Sequence, residues 1–423
     1  MKLLKVDSIE EVEQKFETYF GALEKKTEEV ELRKSYGRYL AEDVFADLDS
    51  PSFRRSVVDG YAVRAADTFG VSNSVPVFLE CIGSVRMGEA STLNIGSGQT
   101  AYVPTGGMVP EGADAMVMVE HIDKLGEEMI VINRPVAPNA HIMNVGDDFK
   151  EGEKFFSKGH RISTKDIGLL AACGKGQVSV YRKPKLSILS TGDELVEPSE
   201  KPGPCQVRDI NAHALSAYAE ALGAEVIDLA IIPDDKEAYR NAVLERMDKC
   251  DMVVLSGGSS AGNKDFTVQV VDSLGKPGVV THGLNIKPGK PTIVGIFTDF
   301  GEPKTVIGLP GHPLSSIIVF HVIAGRFLRK YYFANEGTSM TIPAMITENV
   351  HAGEGRITYQ LVNLKRVQGQ EKPTGAESGW IAEPIRAKSG AIAQLSKADG
   401  YVVIPAGSEG VRAGETVEVV LID

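Results

Sequence analysis

Cysteine is scarce in this chain. Its four cysteines, Cys81, Cys173, Cys205 and Cys250, stand far apart and form no CxxC pair. That spacing argues against a zinc cluster and a disulfide scaffold, and reduced thiols in a cytoplasmic protein are the expectation. Positive charge is short as well: 45 Lys and Arg face 57 Asp and Glu, for a net charge of −12. A broad polyanion-binding face is thereby excluded, because nucleic acid would be repelled away from any local basic patch. An anionic small ligand would need its positive field assembled locally. The longest apolar stretch, LSSIIVFHVIAGRFL, is too short for a membrane span and is broken by His321 and Arg326, so it reads as a buried helix. The start, MKLLKVDSIEEVEQKF, lacks the apolar core of a secretory signal. Repeats of fixed period and low-complexity segments are absent too.

What is present divides the chain into four parts. Ser8 with Glu11 makes a capping box, followed by Ile9, Val12, Phe16 and Phe20 on one helical face. From Asp43 to Asp147 short apolar runs are separated by Gly, Pro and Asn: VPVFLECIGSV, QTAYVPTG, ADAMVMVEHI and MIVINRPV read as strands. A second helix, ISTKDIGLLAACG, has Ser163 and Asp166 as its cap pair and Gly174 as its stop. Strand and helix then alternate: KLSILST, DINAHALSAYAEALG, AEVIDLAII, DDKEAYRNAVLERMDKC, DMVVLSGG and DFTVQVVDSLG. GVVTHGLNI, PTIVGIF, KTVIGLPG and a long helix from near His312 follow. β-branched strands with helical connections predict a mostly parallel, doubly wound α/β domain. The expected divisions are a discontinuous helical, elongated domain (1–42 with 148–180), an inserted β domain (43–147), the α/β domain (181–333), and a C-terminal small β-barrel domain (337–423).

Ligands of open parallel sheets bind beyond the carboxyl ends of the strands. There this sequence places STGDEL with Glu194, IIPDD with Asp234 and Asp235, LSGGSSAGNKD with Asp265, NIKPGKP with Lys287 and Lys290, and GLPGHP with Pro310, His312 and Pro313. Each loop alone has a plain reading as a turn, a helix cap or a solvated edge. Together they bring carboxylates, lysines and free backbone N–H groups to one crevice. Carboxylates beside a phosphate repel it unless a cation intervenes, and hard oxygen ligands suit Mg²⁺. A Mg²⁺-bridged phosphate ester or anhydride is therefore expected, with Glu194, Asp234, Asp235 and Asp265 as candidate ligands. Gly257, Gly258 and Gly262 would curl the main chain round a phosphate, with Ser259 and Ser260 as hydroxyl donors.

The motifs SVVDGYAVR, PTGGMVPEGADAMVMVE, STGDEL, LSGGSSAGNKD, KPGKP and GLPGHP occur in the order found in the molybdopterin molybdenumtransferases, and the chain resembles that family, which includes the catalytic domain of gephyrin, along essentially its whole length. The resemblance implies a homodimer of four-domain subunits. It further implies Mg²⁺-dependent insertion of molybdate into adenylylated molybdopterin, with pyrophosphate cleavage and release of AMP. By motif, Asp59 and Thr105 would reach across the dimer. Asp148 (or its neighbour Asp147), Glu194, Asp235 and Asp265 would be catalytic or metal positions. Lys287 and Lys290 would neutralise substrate oxyanions, and Arg356 and Ser389 would close the cleft from the last domain. Three departures stand out: SGGSSAG for SGGVSVG, His312 for an asparagine, and Gly283 in place of a lysine, which together leave molybdate or tungstate as the oxyanion. A nucleotide pyrophosphate hydrolase on the same α/β fold and a non-catalytic dimeric scaffold are the alternatives. No nucleic-acid or membrane partner is expected.

Overall fold

Capping boxes start the first two helices where the sequence puts them. In the computed structural model, which describes residues 6–422 apart from 127, 258–263, 336, 338–339, 368–378, 387–389 and 391, and only the backbone of 264–266, α1 runs Ile9–Phe20. Ser8 N–H donates to Glu11 Oε2 at 2.8 Å and Glu11 N–H to Ser8 Oγ at 3.2 Å. The buried face of α1 is Ile9, Val12, Phe16 and Phe20. It packs on the α/β domain, with the Phe16 and Phe20 rings 4.5 and 4.7 Å from that of Phe327. This corrects the expected grouping of residues 1–42 with the elongated piece: the aromatic stripe is captured by the larger apolar surface available.

The elongated piece is an arm around β1 (Thr27–Glu31). The inserted domain follows as a six-stranded sheet of β2 (Gly60–Val63), β3 (Val77–Ser84), β4 (Gln99–Val103), β5 (Ala115–Met118), β6 (Ile122–Leu125) and β7 (Met129–Ile132). Its order is β5-β2-β4-β3-β7-β6, antiparallel except between β3 and β4. The chain returns to the arm with α2 (Thr164–Ala172) and β8 (Gln177–Tyr181), which pairs antiparallel with β1. Asp166 Oδ2 accepts from the N–H and Oγ–H of Ser163 at 2.8 and 2.7 Å, the local signal that fixes the start of α2. The arm has its own small core of Leu40, Val44, Phe156, Ile162, Leu170, Val178 and Val180. Because Val44 belongs to it, the arm extends slightly past the sequence-based division at 42, while Phe156 falls within the expected stretch 148–180.

The α/β sheet comprises β9 (Lys185–Thr191), β10 (Glu225–Ile232), β11 (Met252–Gly257), β12 (Pro277–His282), a two-residue β13 (Ile286–Lys287) that leaves the sheet, β14 (Ile293–Phe297) and β15 (Lys304–Leu309). Strand order is β10-β9-β11-β15-β14-β12. All run one way except β14, which is antiparallel to both neighbours, so β12 again points with the rest. The loops after β9, β10, β11, β12 and β15 therefore emerge on one edge, as the strand-by-strand reading requires. Helices α3 (Asn211–Ala221), α4 (Lys236–Met247) and α5 (Lys264–Asp272) fill the crossovers. The long helix beyond His312 is in three pieces: α6 (Pro313–Val319), a π turn over Phe320–Gly325, and α7 (Arg326–Phe333).

The last domain closes a five-stranded barrel from β16 (Thr341–Ile346), β17 (Ile357–Arg366), β18 (Trp380–Pro384), β19 (Gly400–Ile404) and β20 (Thr416–Leu421), the ring completed by β17–β19 pairing. β13 adds to β17 in parallel register, Lys287 opposite Thr358, so the barrel is sewn to the loop that carries the lysines. Tyr359, Leu361 and Tyr401 of the barrel share one core with α1, α3, α6 and α7. Among the described residues no helix is long and apolar enough to cross a membrane.

Candidate active site

The centre of the functional edge is a close approach of two strand ends. Thr191 and Gly257 are register partners on β9 and β11. Gly257 has φ +109°, and a Cβ on it would come within 2.5 Å of the Thr191 carbonyl oxygen. Only glycine turns the chain outward there without separating the strands. Gly258, Ser259, Ser260 and Gly262 lie outside the described residues. Asp265 lies in the first turn of α5. Beneath, the Tyr239 hydroxyl of α4 lies against the hydroxyls of Thr191 and Thr267, and its complete burial drives its pKa up.

The acidic side of the edge is built from two loops. Asp193 and Glu194 follow β9, Asp234 and Asp235 follow β10, and the Asp234 N–H donates to Asp193 Oδ1 at 3.1 Å. Partial burial, then the charges of Asp193 and Glu194, hold the Asp234 carboxyl above the usual range. The Asp235 carboxylate turns the other way, where its Oδ1 accepts from Ala238 N–H at 2.8 Å and caps α4. The carboxylate that crowds Glu194 is thus that of Asp234, and Asp235, expected as a catalytic and metal position, is engaged as a helix cap. Asp193, not assigned a role from sequence, is a member of the cluster. Among the described residues, no three His, Cys, Asp or Glu side chains gather as a metal-holding group.

The basic side comes from the β12–β14 connection and the barrel. Lys287 and Lys290 are exposed. The Lys287 stem passes over Gly353, where an added Cβ would sit 2.9 Å from Lys287 Cδ. Arg356, half-buried, closes the turn that Gly353 begins, its N–H donating to Gly353 O at 2.9 Å just before β17. The β13–β17 pairing therefore brings Lys287 and Arg356 to one place from residues far apart in the chain. Ser389 lies outside the described residues, but a Cβ added to the next residue, Gly390, would stand 3.8 Å from His312 Cδ2, so that segment of the barrel adjoins the β15–α6 loop. His312 occupies the N-cap position of α6 without capping it through its side chain, and Pro313 follows as the first helical residue; Pro310 is buried beneath.

Asp59 and Thr105 are brought together, but elsewhere. Thr105 N–H donates to Asp59 Oδ1 at 2.8 Å at the edge of the inserted sheet. Asp147 Oδ2 accepts from Asn144 N–H at 2.7 Å and closes a local turn. Asp148 is exposed, its Oδ2 accepting from Ser50 Oγ at 3.4 Å. Among the described residues the inserted domain shares neither a sheet nor an apolar core with the α/β domain. Sequence reasoning also passed over Asn211, whose amide nitrogen donates to Ser256 Oγ and to Gly311 O, both at 2.8 Å. No local pattern marks it, since asparagine at a helix start reads as a cap.

Three family models match consecutive stretches: the MoeA N-terminal region (domains I and II) over residues 7–174, a probable molybdopterin binding domain over 187–330, and the MoeA C-terminal region (domain IV) over 343–422. A putative molybdopterin biosynthesis protein of Methanocaldococcus jannaschii is 31% identical over 94% of this chain and 93% of its own length. The molybdopterin molybdenumtransferase of Bacillus subtilis is 31% identical over 94% of this chain and 90% of its own. Among solved structures, a molybdopterin biosynthesis MoeA protein from Pyrococcus horikoshii superposes with a TM-score of 0.79 at 36% identity, covering 99% of both chains.

Proposed function

Since the chain belongs to the molybdopterin molybdenumtransferase family, transferases of molybdenum cofactor biosynthesis, we propose that it inserts molybdate into adenylylated molybdopterin, with cleavage of the pyrophosphate link and release of AMP. The observation that carries this reading is that one sheet edge bears both an acidic cluster, Asp193, Glu194 and Asp234, and a basic one, Lys287 with Arg356. A diphosphate needs both. Lys287, Lys290 and Arg356 neutralise oxyanion charge directly, and Gly257, at φ +109°, turns the chain out of the sheet at its carboxyl edge.

Mg²⁺ would be held by Glu194 and Asp234, with Asp265 at the start of α5, and when bound would supply neutralisation of the diphosphate and its leaving group. The residues fit such an ion. Burial and the charges of Asp193 and Glu194 hold the Asp234 carboxyl above its usual range, a crowding that a cation relieves, and Mg²⁺ takes part of its ligands from water and phosphate.

Asp59, Thr105 and Asp148 complete the site from a second subunit. Among the described residues their domain is joined to the α/β domain by no sheet or apolar core. Around them Phe45, Leu48, Phe53, Val57 and Val145 are exposed, on segments linked by the pairing of Arg55–Ser56 with Ile142–Met143. An apolar surface beside functional side chains favours a homodimer.

Nucleotide release from adenylylated molybdopterin tests the reading, with Mg²⁺ present and molybdate or tungstate titrated separately. The parent releases AMP, and Asp265→Ala retains its fold but loses at least about a hundredfold in rate, as expected when electrostatic stabilisation is removed. Undiminished turnover by that variant would take Asp265 out of the chemistry. Equal response to both oxyanions would show that the His312 substitution sets no preference.

A further inference from the structure

We infer that Asn211 is a positioning residue that locks two substrate loops together. The inference rests on the functional reading above for its kinetic arm, but its geometry stands alone. Asn211 is 9% exposed and is the first residue of α3. The N-cap position before it is Ile210, whose side chain cannot cap the helix. Asp209 Oδ1 accepts from Ala212 N–H at 3.2 Å in the first turn, and the Asn211 amide makes longer-range contacts instead.

Both amide hydrogens are used across the sheet edge. One goes to Ser256 Oγ, the residue before the Gly257 turn, and the other to Gly311 O, the residue before His312. The amide orientation follows from chemistry: a carbonyl oxygen only accepts, so the nitrogen must face Gly311. One planar group thus fixes the spacing between the end of β11 and the β15–α6 loop. Ser256 ends β11 just before the Gly257 turn and Gly311 precedes His312, so the end of β11 and the start of α6 are held as one unit. A displacement of about 1 Å between substrate-positioning groups is enough to impair a reaction strongly.

Asn211→Asp is the incisive change. It is nearly isosteric and an acid at a helix start is favourable, but it has no donor for Gly311 O and sets two oxygens against each other. Ser256 Oγ, by contrast, can turn its proton toward the new carboxylate. Expected are an increase of about tenfold in amide hydrogen exchange across 308–314, and about a tenfold higher KM for adenylylated molybdopterin with kcat within about threefold, the scale of one lost buried hydrogen bond. Ser256→Ala, which cuts only the other tie, leaves exchange over 308–314 at the parent rate.

Unchanged exchange and unchanged KM in Asn211→Asp overturn the inference. So does loss of fold in both Asn211→Asp and Asn211→Ala while Ser256→Ala stays folded, since that makes Asn211 structural. If the parent releases no AMP at all, the functional reading fails, and the exchange comparison still decides the clamp.

Discussion

Asp234 and Asp235 are chemically identical neighbours that the fold sets to different work. Asp235 meets the free N–H groups at the start of α4, whereas Asp234 meets the charges of Asp193 and Glu194. Replacing Asp235 by alanine should cost about 1 kcal/mol of stability through the lost cap, read as a lower denaturation midpoint, while leaving the Mg²⁺ dependence of AMP release unchanged. Asp234→Asn should do the opposite: a higher Mg²⁺ requirement, and a small gain in stability in cation-free buffer. The sign follows from the raised pKa of Asp234. The folded state holds this proton more tightly than the unfolded chain, so ionisation costs the folded state stability as pH rises above the ordinary carboxylate range. The variant's advantage is therefore full at neutral pH and vanishes once both states are protonated. Equal midpoints for parent and Asp234→Asn at neutral pH in chelator would contradict the crowding. From sequence the DD pair was legible as a cap or a ligand site, and the split between them was not, because Asp193 and Glu194 lie across a strand crossover.

Among the elements, the helix after His312 departs most from its sequence signal. Its apolar run reads as one helix, and the π turn at Phe320–Gly325 is invisible to a pattern that counts only hydrophobic positions. That turn presents His321 to Tyr218 of α3, whose hydroxyl contacts its Nδ1, and to the Tyr401 ring of β19, 5.4 Å away. Burial first, then Arg329 and Arg326, bring its pKa down to about 4. The unfolded chain takes up this proton near the ordinary value and the folded one resists it, so stability is lost as pH falls from about 6.5 toward 4. Denaturation midpoints of His321→Gln should fall less steeply over that window than those of the parent, by on the order of 2 kcal/mol at its acid end. Parallel curves would show that His321 does not titrate with unfolding. Other elements were legible because their signals are local: the Ser8–Glu11 and Ser163–Asp166 pairs start their helices, and alternating strand and helix runs name the α/β domain. The reversal of β14 was not, since strand direction is decided by which neighbours are left to pair with.

At the scale of the whole molecule, the candidate functional groups are divided between two bodies that share no sheet or apolar core among the described residues. If the site is shared between subunits, mixing Asp59→Asn protein with Asp265→Ala protein should restore activity. One of the two sites in each mixed dimer would then have an intact inserted domain facing an intact α/β edge. Recovery should approach half the parent rate per mixed dimer, measured after subunit exchange, and no recovery in verified heterodimers would place the site within one subunit. The sequence by itself determined the local and periodic features: helix starts, the strand-end loops with their acidic, basic and glycine residues, and the family to which those loops belong. These are legible because neighbouring residues interact whatever the rest of the chain does. The tertiary structure alone decided that α1 serves the α/β core, that Asp234 crowds Glu194 while Asp235 caps, that β13 carries Lys287 to Arg356, and that Asn211 ties two loops. Each of those depends on contacts between residues distant in the chain, whose geometry exists only after the apolar cores have closed around them.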